Sequence, residues 1–180
     1  MSIITVAQAK IWARIDYDSE DADLQLVIDS LEEWLEERLG IKFVESAFTC
    51  ECDGAGESLW PQWKPVISVT SITDRITGTV NAEDYYIANN AKIIKNSQGR
   101  WDEGNARWSV IYTAGYDGTG DDSIALPAGI KMGMRDLFVR AYDNRGGKGS
   151  ESISGWNVNW DDIETSDIFE KLSVFDRTIL

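Results

Sequence analysis

The segment from residue 20 to residue 39 constrains the fold more than any other part of the chain. Large apolar side chains recur there at steps of four, three, four and four residues, which is the spacing of one face of an α-helix. Glutamates lie mostly on the opposite face, and Gly40 follows as a helix-ending residue. The sequence therefore predicts an amphipathic helix over residues 20–39. The apolar positions are Leu24, Ile28, Leu31, Leu35 and Leu39, and the glutamates are Glu32, Glu33, Glu36 and Glu37.

An acidic stretch, RIDYDSEDADLQLVI, leads into this helix. Its first carboxylates fit the early positions of a calcium loop, but Asp21 stands where such a loop needs glycine and Val27 where it needs a bidentate glutamate. A helix start fits better, because Asp18 or Ser19 can accept hydrogen bonds from the first free N–H groups. The carboxylates that follow are favoured by the positive end of the helix dipole. The stretch is therefore interpreted as a helix start.

Two more helices are predicted. Thr5 and Gln8 form a capping box, which indicates a helix over 5–15. Pro127 opens another over 127–145, and Gly146 follows its end. The buried stripe of this last helix consists of Ile130, Met134, Leu137, Phe138, Ala141 and Tyr142.

The region 41–116 has a different pattern. The segments KPVISVTSITD, DYYIANNAKIIKN and ARWSVIYTAGY are rich in β-branched and aromatic residues, which is typical of strands, and the region is predicted to be a β insertion. Four tryptophans lie in or beside these segments. Such a cluster can mark a carbohydrate-binding face, although it more often fills a core or an interface. The four are Trp60, Trp63, Trp101 and Trp108.

The composition argues against an enzyme. The chain has no histidine, which removes the commonest general base and the commonest metal ligand. Cys50 and Cys52 are its only cysteines; with no histidine to activate them or to complete a zinc site, they are expected to be free thiols. No cofactor, catalytic residue or metal site is predicted.

The net charge of −14 is the second bulk constraint. A chain this acidic repels nucleic acid, which disfavours phosphate binding. No apolar run is long enough to span a membrane and no secretory signal is recognisable, so a protein made and kept in the cytoplasm is expected. The charge is uneven, since residues 1–40 are acidic while 127–147 are net basic. This suits head-to-tail packing of identical subunits, although two unrelated solvated faces would give the same charges.

The last segment, 148–180, begins with the linker-like sequence KGSESISG. It then carries apolar side chains that so short a segment cannot bury alone, so it either packs on its own domain or docks on another chain. Docking is the favoured interpretation, which makes 148–180 a docking arm beside a domain over 1–147. The docking residues are Trp156, Trp160, Phe169, Leu172 and Phe175.

Four stretches in this order resemble the head–tail connector, or adaptor, proteins of tailed bacteriophages and prophages. The family pattern has an R-x-D step before an acid-capped long helix, a β insertion with PV-x-x-V-x-x-I and DYY, a YTAGY strand, and a proline-led helix ending in Y-x-N-R. The resemblance covers about residues 3–146. The stretches are ITVAQAKIWARIDYDSEDADLQLVIDSLEEWLEERLG, KPVISVTSITD with EDYYI, SVIYTAGYDG and LPAGIKMGMRDLFVRAYDNRGG.

The resemblance implies an α+β, mainly α fold: a small helical bundle with an inserted β-hairpin or small antiparallel sheet, here with an extended C-terminal arm. It also implies a virion protein of the phage neck that forms a ring, usually twelvefold, below the portal protein. Such a ring extends the DNA channel and offers a docking surface to the next neck or tail protein, the stopper. DNA would pass through without specific binding.

Two hypotheses assign residues to this role. The arm residues would dock on the portal, and carboxylates of helix 20–39 would pair with arginines of a neighbouring subunit, which fixes register more than it adds affinity. The alternatives are another neck or tail completion protein, or a Trp-rich module that binds sugar or peptide. The charge pairs would join Glu32, Glu33, Glu36 and Glu37 to Arg135, Arg140 and Arg145.

Overall fold

The computed structural model describes residues 3–96, 99–116, 124–143, 151–153, 156–158 and 172. The chain divides into two compact units. The helical unit combines Met1–Leu39 with Leu126–Asp176, and the β unit comprises Gly40–Ala125 with Arg177–Leu180.

In its described part, the helical unit has three α-helices: α1 (Val6–Ala13), α2 (Asp21–Leu39) and α3 (Ala128–Asp143). Their bounds fall within the predicted ranges 5–15, 20–39 and 127–145. The capping box is present, since Gln8 N–H donates to Thr5 Oγ1 at 3.2 Å and Thr5 N–H donates to Gln8 Oε1 at 2.9 Å. Pairwise contacts join all three helices. The apolar stripe of α2 is buried as predicted, and the stripe of α3 is buried too.

Lysine and aspartate connect the start of α2 to α1. Asp21 and Asp23 lie in the first turn of α2, where the helix dipole favours them. The Lys10 ammonium donates to the carboxylates of Asp18 and, at 2.8 Å, of Asp21. Part of the acidic stretch therefore binds a lysine of the preceding helix.

Two antiparallel sheets are present in the part of the β unit that the structure describes. The larger has the strand order β1–β7–β3–β4, and the smaller has the order β2–β6–β5. A hydrophobic core of its own fills the unit, with Trp101 and Trp108 edge to face at 4.9 Å. The strands are β1 (Ser46–Gly54), β2 (Ser58–Leu59), β3 (Val66–Asp74), β4 (Gly78–Thr79), β5 (Tyr85–Ala88), β6 (Lys92–Lys95) and β7 (Gly104–Ala114). In the helical unit, β8 (Glu151–Ile153) pairs with β9 (Trp156–Val158).

The prediction of a mainly α fold was wrong. Among the described residues, the β unit alone has seven strands in two antiparallel sheets beside the three α-helices, so the fold is not a small helical bundle. The physical reason is that the region predicted as an insertion has its own buried core and two sheets, including an eleven-residue strand, β7. Strand β1 was not predicted, because its sequence SAFTCECDG is polar and only Phe48, Cys50 and Cys52 turn toward the core.

A buried ion pair joins β3 to β7. Asp74, 1% exposed, accepts from Arg107 Nε at 2.9 Å and Nη2 at 2.7 Å. It also accepts from the Ile76 N–H at 3.0 Å and the Thr77 hydroxyl at 2.8 Å, so the pair also fixes the turn after β3. The hydrogen bonds from Arg107 hold the pKa of Asp74 well below its usual range, although burial opposes them.

Substitution of Asp74 by asparagine is expected to destabilise the protein in a pH-dependent way. Because the pKa of Asp74 is lower in the folded state, the ionised carboxylate stabilises the folded protein. This contribution to the free energy of unfolding is present above the unfolded-state pKa of about 3.9 and is lost as the pH falls further. The difference in unfolding free energy between wild type and Asp74→Asn should therefore be constant near neutrality and shrink below about pH 4. Urea denaturation over this pH range measures it, and a difference that stays constant into acid would contradict this account.

Candidate assembly surfaces

The solvent-facing side of α2 carries an acidic face, which we define as Leu26, Asp29, Glu33 and Glu37. These residues follow one another at three or four positions, so they line one side of the helix. Leu26 is 42% exposed, and Gln25 donates to Asp29 Oδ1 at 2.7 Å. Glu33 and Glu37 are exposed and make no ion pair within the described part of the chain. Their repulsion at a spacing of four residues, together with the negative C-terminal end of the helix dipole, is unfavourable in an isolated subunit.

The other two glutamates of α2 that were predicted to form inter-subunit pairs are less exposed than the residues of the acidic face. Glu32 is half-buried and accepts the Ile3 N–H at 2.7 Å, which ties the N-terminal segment to α2. Glu36 is half-buried as well. Of the four glutamates assigned to inter-subunit pairs, Glu33 and Glu37 are therefore the exposed ones.

The arginines of α3 lie among carboxylates. Arg135 donates to the adjacent Asp136, with Nη2 at 2.8 Å and Nε at 2.9 Å from Oδ1. Arg140 and Asp143 border the same shallow, open surface on this helix. Two cations thus share this surface with two anions, which leaves it nearly neutral. Arg145 lies outside the described residues.

The predicted docking residues are only partly described. Trp156 belongs to β9, while Trp160, Phe169 and Phe175 lie outside the described residues. Leu172 is 1% exposed and packs on α3 at Gly133, where a Cβ atom would lie 2.4 Å from Leu172 Cδ2. Gly133 therefore leaves space for the leucine, and Leu172 is buried within the helical unit.

The tryptophans of the β unit divide into two groups. Trp101 and Trp108 are buried in its core. Trp60 is 46% exposed and Trp63 is partly buried, packed against Phe48 and the core. Because two of the four tryptophans are buried, they do not form a continuous aromatic face of the kind that binds carbohydrate.

Two lysines lie beside the exposed Trp60, and a third lies beside Trp63. We call these five residues the Trp60 platform: Trp60, Trp63, Lys42, Lys64 and Lys92. The Lys64 and Lys92 ammonium nitrogens lie 5.6 and 5.3 Å from the centroid of Trp60. The Lys42 ammonium lies 4.2 Å from the centroid of Trp63. These are cation–π distances.

Sequence reasoning missed the Trp60 platform. The run WPQWKP carries a visible signal, since two tryptophans precede a lysine at short range. Lys92 gives no such signal, because it reaches Trp60 only through the pairing of β2 with β6, where Leu59 opposes Ile93. Because the strands are antiparallel, Trp60, which directly follows β2, lies opposite Lys92, which precedes Ile93 on β6.

The two cysteines are free thiols, as predicted, and lie on one side of β1 with their sulfurs 3.5 Å apart. The hydrogen bond with Cys52 lowers the pKa of Cys50 to about 7, while the same bond and burial raise the pKa of Cys52. Cys50 is therefore the thiol that ionises first.

Two general features of the described residues bear on function. They contain no group of three or more acidic or thiol side chains arranged to hold a metal ion. Among them, too, no helix combines the length and the apolarity needed to cross a lipid bilayer.

Comparison with known proteins gives one family and several related structures. Residues 3–172 match the family of phage gp6-like head-tail connector proteins. No curated protein matches the chain.

The related structures share the fold at low sequence identity. A chain from the neck of an empty gene transfer agent (GTA) particle, computed with C6 symmetry, aligns with a TM-score of 0.62 and 15% identity, over 97% of this chain and 88% of that one. A chain from the virion of a native GTA particle aligns with a TM-score of 0.61 and 17% identity, over the same shares of the two chains. A chain from the neck of a native GTA particle, computed with C12 symmetry, gives 0.57 and 15%, over 98% and 92%.

The family match covers almost the whole chain, and it confirms the resemblance seen in the sequence. The chain belongs to the family of phage gp6-like head-tail connector proteins.

Proposed function

We propose that this protein is a non-catalytic structural component of the neck of a tailed phage-type particle, where it forms a ring below the portal protein. The observation that carries the proposal is the connector-family match over residues 3–172. Similarity of fold to chains from GTA necks supports the same location in the virion.

The ring is proposed to be a cyclic homo-oligomer of twelve subunits. One of the related neck structures was computed with C12 symmetry, and another with C6 symmetry. A closed ring requires two different surfaces on each subunit that complement each other. The separation of acidic and basic groups on this chain meets that requirement.

The ring would extend the DNA channel and support the next neck or tail protein. A net charge of −14 suits a channel wall, because it repels the phosphate backbone and lets DNA pass without stable binding. The stopper would dock on the face of the ring that is distal to the portal.

The C-terminal arm is proposed to contact the portal through Trp156, Trp160, Phe169 and Phe175. Leu172 would have a different task from the one predicted, because its burial against Gly133 makes it an anchor for the arm on its own subunit. Large aromatic side chains dominate binding energy at many interfaces, which suits this assignment.

A binding experiment with purified portal rings tests the function. The wild-type chain is expected to bind as a ring that mass photometry and cryo-microscopy detect. Replacement of the four aromatic residues by alanine should weaken binding to the portal by about thirtyfold or more, since anchors of this kind each contribute strongly. Alanine at Tyr17, an exposed aromatic residue outside the arm, is the matched control. Wild-type protein that binds no portal, or an arm variant that binds normally, would contradict the assignment.

A further inference from the structure

We propose that the Trp60 platform of one subunit binds the acidic face of α2 of a second copy of this chain. The inference deepens the ring proposed above, on which it rests, by naming the two surfaces that meet. The partner is an amphipathic helix with an exposed leucine beside a row of carboxylates, and the chain itself carries such a helix.

The Trp60 platform has the composition of a protein-binding site. Tryptophan is enriched among residues that dominate binding energy, and Trp60 leaves nearly half of its surface exposed in the isolated chain. The Lys64 and Lys92 ammoniums lie beside it, and Lys42 lies beside Trp63. An apolar surface with the partly exposed Lys42 and Lys92 beside it fits a partner that is itself both apolar and anionic.

Backbone contacts hold the platform in place before any partner arrives. The Lys42 N–H donates to the Lys64 carbonyl at 2.9 Å, and Ile41 forms a bridge with Lys64. Lys64 is itself buried, so its stem is fixed while its ammonium lies near Trp60. Lys92 projects from β6, whose neighbour β2 leads into Trp60. Ordered lysines lose less conformational freedom on binding than free ones, which favours association.

The acidic face of α2 supplies both features that such a partner needs. Leu26 offers an exposed apolar side chain to Trp60, and Glu33 and Glu37 offer carboxylates to the lysines. The repulsion among the carboxylates in the free subunit becomes a gain when the partly exposed Lys42 and Lys92 approach. This complementarity gives a reason for an unfavourable row of like charges at the C-terminal half of a helix.

The arginines of α3 complement this face less well. Arg135 is already paired with Asp136, and Arg140 shares its surface with Asp143. Their surface therefore presents little net charge to a row of carboxylates. The platform and the acidic face are different surfaces, so their contact is heterologous and repeats from subunit to subunit, as a ring requires.

Two variants of the full chain test the contact. The platform variant combines Trp60→Ala with Lys92→Glu, and the helix variant combines Glu33→Lys with Glu37→Lys. Each is expected to self-associate about thirtyfold more weakly than wild type, both in solution and on purified portal rings. Sedimentation velocity and mass photometry measure this.

Mixing the two variants gives the sharper readout. The helix variant retains a native platform and the platform variant retains a native acidic face, so one native contact forms in the mixture. We expect dimers that neither variant forms alone. Absence of mixed dimers would overturn the proposal.

The matched control changes an exposed aromatic residue and a lysine elsewhere in the β unit. Tyr86 is 50% exposed, and Lys95 is on the opposite side of β6 from Lys92. A variant with Tyr86→Ala and Lys95→Glu should assemble like wild type, and thermal unfolding of all variants verifies that they fold.

The outcomes separate this inference from the proposed function. If wild type forms rings and the helix variant also does, the acidic face is not the partner and this inference alone fails. If the platform variant forms normal rings but loses affinity for the portal or for DNA, the Trp60 platform binds that other partner, and again this inference alone fails. If wild type forms no ring even on the portal, both fail.

Discussion

Replacement of Gly54 by alanine is expected to destabilise the β unit by about 3 kcal/mol, because the new methyl group has no space. A Cβ atom at this position would lie 1.8 Å from the Asp102 carbonyl oxygen and 2.6 Å from Trp108 Nε1. That nitrogen donates to the same carbonyl at 3.0 Å, so relief of the clash would break the hydrogen bond of a buried tryptophan. Gly54 also ends β1 where its register with β7 shifts, which limits how far the strand can move.

Gly56→Ala is the matched control for this substitution. The nearest atom to a Cβ at Gly56 is the Ser58 nitrogen at 3.9 Å, an ordinary contact. The control should change stability by no more than about 0.5 kcal/mol. Urea denaturation followed by tryptophan fluorescence compares the two variants, and equal stabilities would refute the steric argument.

The helices were predictable because their signals are local. The buried residues of α2 recur with a helical period, and the capping box of α1 lies within four consecutive residues. Each of these features depends on side chains a few positions apart, which the sequence displays directly. The order of the motifs then indicated the family, which the match over residues 3–172 confirms.

The extent of the β structure was not predictable by the same means. Sheet pairing joins distant segments, and β1 pairs with β7 although about fifty residues separate them. The contact of Asp74 with Arg107 and that of Lys92 with Trp60 likewise depend on sheet register. A strand with one solvated face and a polar sequence gives only a weak period of two.

The candidate surfaces show the same division. The exposed glutamates of α2 follow from helical periodicity, but the burial of Leu172 depends on the absence of a side chain at Gly133, far away in the sequence. The neutral character of the α3 surface depends on Asp136 and Asp143, which lie beside the arginines in the sequence. Composition alone could therefore suggest that assembly uses charge, but not which cations we propose to meet the acidic face.

Substitution of Leu31 by alanine is expected to destabilise the helical unit by about 3 kcal/mol, since it removes a fully buried side chain from the apolar stripe of α2. The cavity left behind would border neighbouring core residues that can relax only in part. Leu26→Ala on the same helix is the matched control, because 42% of Leu26 is exposed and alanine is at least as good a helix former. It should change stability by about 0.5 kcal/mol or less.

Urea denaturation followed by circular dichroism gives the two free energies, and hydrogen exchange of the α2 amides localises the loss to the helical unit. If Leu31→Ala and Leu26→Ala lowered the free energy of unfolding by similar amounts, the apolar stripe of α2 would not face a packed core. The pair also separates folding from assembly: Leu31→Ala should reduce ring formation only in proportion to the loss of folded protein. Leu26→Ala should reduce it while the subunit remains fully folded, because its side chain lies on the surface that we assign to the neighbouring subunit.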